Sequence, residues 1–276
     1  MPDGSPEDCV NGSTGPSDSW ASGQGYESFV GRLSREVAPQ FVAWLGVPSG
    51  ARWLDVGSGT GALTEAVLAC CAPEHVVGIE PSDAFRRFAD EQVPDPRASF
   101  RAGDAMALPV DDGAFDAVAA GLVLNFVPDQ PAALAEMCRA TRPGGTVGVY
   151  VWDYDGGMPM LTTVWDAALA LDPSVAALHE ARRFIGNQPD PLRALFVGTR
   201  LRAVDVQGIC VPVDFGSFDD YWSPFLAGTG PAPAYIATLT DAGRAALRDA
   251  VRARLPIAAD GAIHLTARAW AVRGTA

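Results

Sequence analysis

Apolar positions recur along the chain at two different intervals. Between residues 32 and 45, Leu33, Val37, Phe41, Trp44 and Leu45 stand three or four apart, which predicts one amphipathic helix in spite of Pro39. From residue 52 to 152 short apolar runs alternate with helical stretches. The runs 52–56, 76–79, 98–101, 115–123 and 146–152 read as strands, and 63–71, 83–92 and 131–141 as the helices between them. Ser82 is a natural N-cap for the second of these helices, and Pro73, Pro94 and Pro143-Gly144-Gly145 punctuate the helix ends. Strands that alternate with helices predict a doubly wound, mostly parallel α/β sheet with helices on both faces.

The rhythm changes after Trp152. Segment 160–171 reads as a helix, 179–196 as irregular, and 201–213 and 262–272 as strands. Two helices are expected between those strands, one after Ser217 and one over 240–255. The late strand pair brings the sheet to seven strands. Residues 1–25, rich in Gly, Ser, Pro and acidic residues, have little to bury and are expected to form a disordered tail. The rest, 26–276, reads as one domain with a core at 26–155 and helical cap insertions at 156–200 and 214–256.

Charge removes several chemistries. The formal net charge is −13, and all twenty basic residues are arginine. Without lysine there is no Schiff base, no phosphate-binding-loop lysine and no Tyr-x-x-x-Lys pair. The acidic balance opposes a nucleic-acid partner, whose affinity rests on phosphate neutralisation. No run of eighteen apolar residues predicts a membrane span, and no basic stretch followed by an apolar one marks a leader, so a cytoplasmic protein is expected. Cys9, Cys70, Cys71, Cys138 and Cys210 are odd in number and lack a CxxC pair, and His75, His179 and His264 lack metal-ligand spacing. No disulfide framework and no metal are expected.

Chemistry concentrates at Trp53-Leu54-Asp55-Val56-Gly57-Ser58-Gly59-Thr60-Gly61, where a strand feeds three alternate glycines and a helix follows. Glycines let the backbone turn tightly and a ligand approach the main chain, and the helix N-terminus offers free N–H groups. Gly57, Gly59 and Ala62 also satisfy a looser dinucleotide pattern, and Glu80 at the end of the second strand suits ribose hydroxyls in either case. Two features break the tie. Asp55 precedes the glycines where nicotinamide sites carry an apolar or small residue, and Gly103-Asp104-Ala105 follows the third strand, where a carboxylate can accept from an adenine amino group.

Together, Asp55–Gly61, Glu80-Pro81-Ser82, Gly103-Asp104-Ala105, Pro109, Phe115-Asp116 and Arg142-Pro143-Gly144-Gly145 resemble the class I S-adenosylmethionine-dependent methyltransferases, in particular the ubiquinone/menaquinone-biosynthesis subgroup. The likeness covers about residues 25–155. It implies a Rossmann-like sheet with its last strand antiparallel and S-adenosyl-L-methionine as cofactor, released as S-adenosyl-L-homocysteine. It also implies roles for residues. Asp55 with the backbone of Gly57, Ser58, Gly59 and Gly61 would hold the methionine part, and Glu80, Pro81, Ser82 and Phe85 the ribose side. Gly103, Asp104 and Ala105 would face the adenine, and Gly121, Leu122 and Asn125 the methionine end. Tyr26 and Arg32 resemble a segment that covers the cofactor in the family.

The acceptor side is less defined. Trp152, Asp153 and Tyr154 end the fifth strand, where this architecture opens toward substrate, and Asp153, Tyr154 and His179 are the candidate bases. Phe215, Phe218, Tyr221, Trp222 and Phe225 read either as core packing or as a wall of an apolar pocket, with Tyr221 and Trp222 as substrate contacts. The function this supports is methyl transfer to oxygen or carbon of a small, apolar or aromatic molecule. A nicotinamide-dependent oxidoreductase and a catalytically silent S-adenosylmethionine-binding protein are the alternatives.

Overall fold

The apolar stripe near residue 40 folds as helix α1 (Arg32–Leu45), stopped by Gly46 in left-handed backbone at φ 67°. In the computed structural model, which describes residues 31–226 and 230–276, Leu33, Val37, Phe41, Val42 and Leu45 are all buried. Each such side chain contributes about 1.5–3 kcal/mol on burial. Their sum exceeds the roughly 3 kcal/mol that a proline inside a helix costs, so Pro39 does not break α1. The expected tail at 1–25, and Tyr26 with it, lie outside the described residues.

Eight elements then follow: β1 (Arg52–Val56), α2 (Ala62–Cys70), β2 (His75–Ile79), α3 (Asp83–Gln92), β3 (Ala98–Arg101), β4 (Phe115–Gly121), α4 (Gln130–Ala140) and β5 (Thr141–Trp152), alternating except that β3 runs to β4 without a helix. Helices α5 (Pro159–Leu171), α6 (Glu180–Arg183) and α7 (Pro189–Gly198) precede β6 (Arg202–Phe215). Helices α8 (Phe218–Trp222), α9 (Pro231–Thr238) and α10 (Asp241–Arg252) precede β7 (Ile263–Thr275). The sheet order is β3-β2-β1-β4-β5-β7-β6. Strand β7 runs antiparallel to both β5 and β6, and the other pairings are parallel.

Successive strand residues feed opposite faces. Trp53, Ala117, Ala119, Tyr150 and Trp152 join α1, α2 and α5 in one core, and Leu54, Val77, Val118, Val147 and Val149 join Leu134 of α4 and Phe196 of α7 in the other. Helix α1 seats where the sheet is thinnest, since a Cβ at Gly148 would stand 2.6 Å from Leu45.

Four boundaries depart from the sequence reading. The stretch 179–196, expected to be irregular, contains α6 and α7. His179 caps α6 by accepting the Ala181 N–H at 3.1 Å, and Pro189 opens α7, where a missing N–H costs nothing. Helix α9 adds a third helix between β6 and β7. Strand β4 ends at Gly121 rather than 123 and runs into a 3₁₀ turn, Leu124–Phe126. Strand β5 begins at Thr141 through a pairing with Phe115. Among the described residues no His/Cys/Asp/Glu group has the arrangement of a metal site, and no helix is long and apolar enough to cross a membrane.

Candidate active site

The carboxyl ends of β1, β2 and β4 open into a cavity of about 500 Å³. This is the place where parallel sheets of this kind receive ligands. The floor is the turn after β1. Gly57, Gly59 and Gly61 have φ of 71°, 52° and 89°, each in the left-handed region that a side chain disfavours. The turn is tied to β2 by the Gly57 and Ser58 N–H groups, which donate to the Ile79 carbonyl at 2.7 and 3.0 Å. A Cβ at Gly57 would also stand 2.5 Å from Val123, so the turn fits only as glycine against the segment after β4.

Two buried carboxylates stand beside this turn. Asp55 is 2% exposed, and its Oδ2 accepts the Thr64 hydroxyl at 2.7 Å. Its Oδ1 is buried and has no hydrogen-bond partner among the described residues. Burial pushes the Asp55 carboxyl up to about 7, against the Thr64 bonds and with help from the negative charge of Glu80. Glu80 is held by backbone: Oε2 accepts from Gly59 N at 3.1 Å and Oε1 from Ser82 N at 2.9 Å. Burial raises its pKa as well, opposed by those two N–H groups and by Arg86. Each Glu80 oxygen keeps a lone pair for a further donor.

Asp104 lies at the exposed side of the cavity, its Oδ1 accepting the Met106 N–H at 2.8 Å. Gly103, Ala105, Pro81, Phe85, Gly121 and Leu122 also line the cavity, as do Asp55, Gly57, Ser58, Gly59 and Glu80. Leu122 sits in left-handed backbone at φ 62°, a strain of the kind stored at functional sites. Gly61 shapes the turn from behind, Ser82 caps α3, and Asn125 lies beyond the lining with a buried Nδ2 that finds no partner among the described residues. The side chain of Arg32 is outside the described residues.

Several lining residues were not foreseen. Tyr150 belongs to β5 two residues before Trp152, on the same face, and its hydroxyl stands where a Cβ on Gly121 would be. Ser34 is a polar residue on the buried face of α1, and that mismatch with the apolar stripe was the available signal; Thr64, likewise buried on α2, is not in the lining but holds Asp55. Met106, Phe126, Val127 and Pro128 complete the apolar rim.

The structure does not bring the candidate bases or substrate contacts into this lining. Asp153 is fully buried and bonded on both oxygens to Arg268, Gln188 and the Asp155 N–H. His179 spends Nδ1 on the α6 cap and stacks on Trp165, and burial lowers its pKa. Tyr154 packs against Phe184. Trp152 is buried in the core, Tyr221 donates its hydroxyl to the Met160 carbonyl at 2.7 Å, and Trp222 stacks with Phe218. The aromatic run 215–225 is therefore core packing around α8.

The sheet order, with one reversed strand next to the last position, and the glycine turn flanked by two carboxylates resemble the arrangement of the class I S-adenosylmethionine-dependent methyltransferases. Residues 54–149, about a third of the chain, match a family model described as a methyltransferase domain. The chain is 38% identical over 127 residues to a demethylmenaquinone methyltransferase of Roseiflexus castenholzii, covering 45% of this chain and 53% of that one. It is 31% identical over 137 residues to an uncharacterised protein of Mycobacterium tuberculosis, half of each chain. The chain thus spans about half the length of the curated relatives it matches. The fold resembles the YcgJ protein of Bacillus subtilis, with a TM-score of 0.55 at 16% identity over 88% of this chain and 98% of that one. It also resembles a Haemonchus contortus phosphoethanolamine N-methyltransferase solved with S-adenosylhomocysteine, with a TM-score of 0.55 at 16% identity over 92% of this chain and 56% of that one.

Proposed function

We propose that the protein binds S-adenosyl-L-methionine and transfers its methyl group to an oxygen or carbon of a small, uncharged, apolar or aromatic molecule. The observation that carries this reading is Asp55: a buried carboxylate beside a glycine turn, with one oxygen unpartnered among the described residues. Such a group calls for a cation with donors, which the ammonium of the cofactor's methionine part provides.

The residues present fit the cofactor. Asp55 and the N–H groups of the Gly57–Gly61 turn would hold the methionine part, the free lone pairs of Glu80 the ribose hydroxyls, and Asp104 with Ala105 the adenine edge. When bound, the cofactor supplies a methyl group already activated on a sulfonium. The protein's share is then orientation and exclusion of water. Tyr150, Leu122 and Phe126 add large side chains to the cavity lining. The described lining holds no Arg or His, which supports a neutral acceptor rather than a phosphate or carboxylate. The likeness to a Roseiflexus demethylmenaquinone methyltransferase supports a ring-containing acceptor.

A thermal-shift titration tests this reading. At a hundred times its dissociation constant a ligand adds about 2.7 kcal/mol of stability. S-adenosylhomocysteine is expected to stabilise the wild type and not Asp55→Ala, and NAD(H) is expected to stabilise neither. A shift with NAD(H) alone would move the protein to the oxidoreductases.

A further inference from the structure

Resting on the methyltransferase reading, we infer that Asp153 is a positioning residue that fixes the aromatic side of the acceptor site through Gln188. Asp153 follows β5 directly and is 0% exposed. Its Oδ2 accepts from Arg268 of β7, at 2.7 Å from Nε and 2.5 Å from the terminal nitrogen. Its Oδ1 accepts from Gln188 Nε2 at 3.0 Å and from Asp155 N at 3.1 Å. The backbone repeats the connection, with Asp153 N donating to the Arg268 carbonyl at 3.0 Å and Arg268 N to the Gly157 carbonyl at 2.7 Å. A Cβ on Gly157 would stand 2.5 Å from the carboxylate, so the turn is folded tightly around it.

Three chain segments thus converge on one carboxylate, and one of them packs against a residue of the cavity lining through Phe184. Gln188 ends the loop 184–188, and its neighbour Asn187 donates Nδ2 to the Trp152 carbonyl at 3.3 Å. At the start of that loop the Phe184 ring lies 5.2 Å from Tyr154 and 5.6 Å, edge to face, from Phe126. Phe126 lines the cavity and is 41% exposed. The 3₁₀ turn that carries Phe126 is held from its other side by Gln130, whose Nε2 donates to the Leu124 carbonyl at 3.0 Å and whose Oε1 lies beside Gly186. The loop therefore braces the Phe126 turn at two points, and the Asp153 hub braces the loop. With both oxygens occupied by fixed donors, Asp153 holds no vacancy for a substrate proton. It acts through Gln188 and Phe184.

A double-mutant cycle tests this without the natural acceptor. The probe is the neutral fluorescent aromatic N-phenyl-1-naphthylamine, titrated into the full chain with S-adenosylhomocysteine present; S-adenosylhomocysteine affinity is measured separately. Gln188→Ala and Phe184→Ala are each expected to weaken the probe roughly tenfold and to leave S-adenosylhomocysteine affinity within about twofold. The double variant is expected to be no worse than Phe184→Ala, because the two act in series. Asp153→Asn, which keeps an acceptor for Arg268, is expected to fall between wild type and Gln188→Ala. Additive losses, equal weakening of both ligands, an unchanged probe in Gln188→Ala, or no probe binding to wild type would each overturn the inference. If S-adenosylhomocysteine fails to bind wild type while the probe pattern holds, the cofactor reading fails and the positioning role stands.

Discussion

Thr64 donates its hydroxyl to Asp55 across 2.7 Å and leaves the other oxygen of that buried carboxylate without a partner among the described residues. A site arranged in this way favours the protonated acid until a cation arrives.

The first prediction is a pH dependence of opposite sign for folding and for binding. The folded-state pKa of Asp55 stands at about 7, above the ordinary 3.8, because of burial. A raised carboxyl pKa means that the folded chain binds the proton more tightly than the unfolded chain. The associated stability is present at acid pH and is lost as pH rises from about 4 through 7. Glu80, raised for the same reason, adds the same sign. Ligand-free Asp55→Asn should therefore be at least as stable as wild type above pH ~7, by denaturant melts. S-adenosylmethionine, a cation, should bind more tightly as pH rises, by at most about tenfold per unit below the pKa. Calorimetry in buffers of different ionisation enthalpy reads the released proton, and a flat profile in wild type would sink the assignment.

A second prediction separates backbone strain from crowding. Gly57 and Gly50 both have positive φ, 71° and 77°, but a Cβ at Gly50 meets nothing within 4 Å while one at Gly57 runs into Val123. Alanine in left-handed backbone costs roughly 1–2 kcal/mol. Gly50→Ala should lose about that much and keep its response to S-adenosylhomocysteine. Gly57→Ala should lose more and should not respond. Equal behaviour of the two variants in the same melts would show that the turn tolerates a side chain.

Tyr221 yields a third prediction. Its buried hydroxyl serves the Met160 carbonyl on α5, and burial raises its pKa far above the ordinary range. Tyr221→Phe should cost about 1–2 kcal/mol in unfolding free energy by leaving that carbonyl unpaired. Affinity for S-adenosylhomocysteine and for an aromatic probe should stay as in wild type. A selective loss of probe binding would return Tyr221 to the acceptor site.

The opposite end of the sheet supplies a fourth. Asp116 at the start of β4 accepts from the Arg52 backbone N–H at 2.8 Å and side chain at 3.0 Å, and from Arg142 at 2.5 Å. These donors hold its carboxyl well below the usual range. The contribution is present above the usual carboxylate pKa and fades as pH falls through the lowered one. Asp116→Ala should be about 1–2 kcal/mol less stable than wild type at neutral pH, with cofactor affinity unchanged. That difference should shrink in strong acid, as read by chemical denaturation.

Much of the glycine-turn side of the cavity was legible because each of its parts needs a particular residue at a particular place. Three left-handed turns ask for Gly57, Gly59 and Gly61, and a strand end in the crevice makes Glu80 stand out. The acceptor side carries no such signature. An aspartate after a strand, such as Asp153, looks the same in sequence whether it meets substrate or Arg268, since the partner lies 115 residues away. Tyr150 carries no mark of its place in the lining, because Trp152, on the same face of β5, packs into the core instead. Helix α7 was not legible because Pro189 and Pro191 break the apolar period, yet they sit at or near its start, which tolerates them, and α6 is a four-residue turn too short to show a period.

The order of the sheet also sets a schedule for the nascent chain. Strand β6 has one neighbour in the sheet, β7, and β7 is made last. The pairings among β1 to β5 involve only strands earlier in the sequence, whereas β6 precedes in the sequence the one strand it pairs with. The chain must hold a fourteen-residue strand in waiting until β7 slides between it and β5. Arg268, the anchor of Asp153, arrives with that same strand, so the carboxylate hub completes only after β6 and β7 have paired.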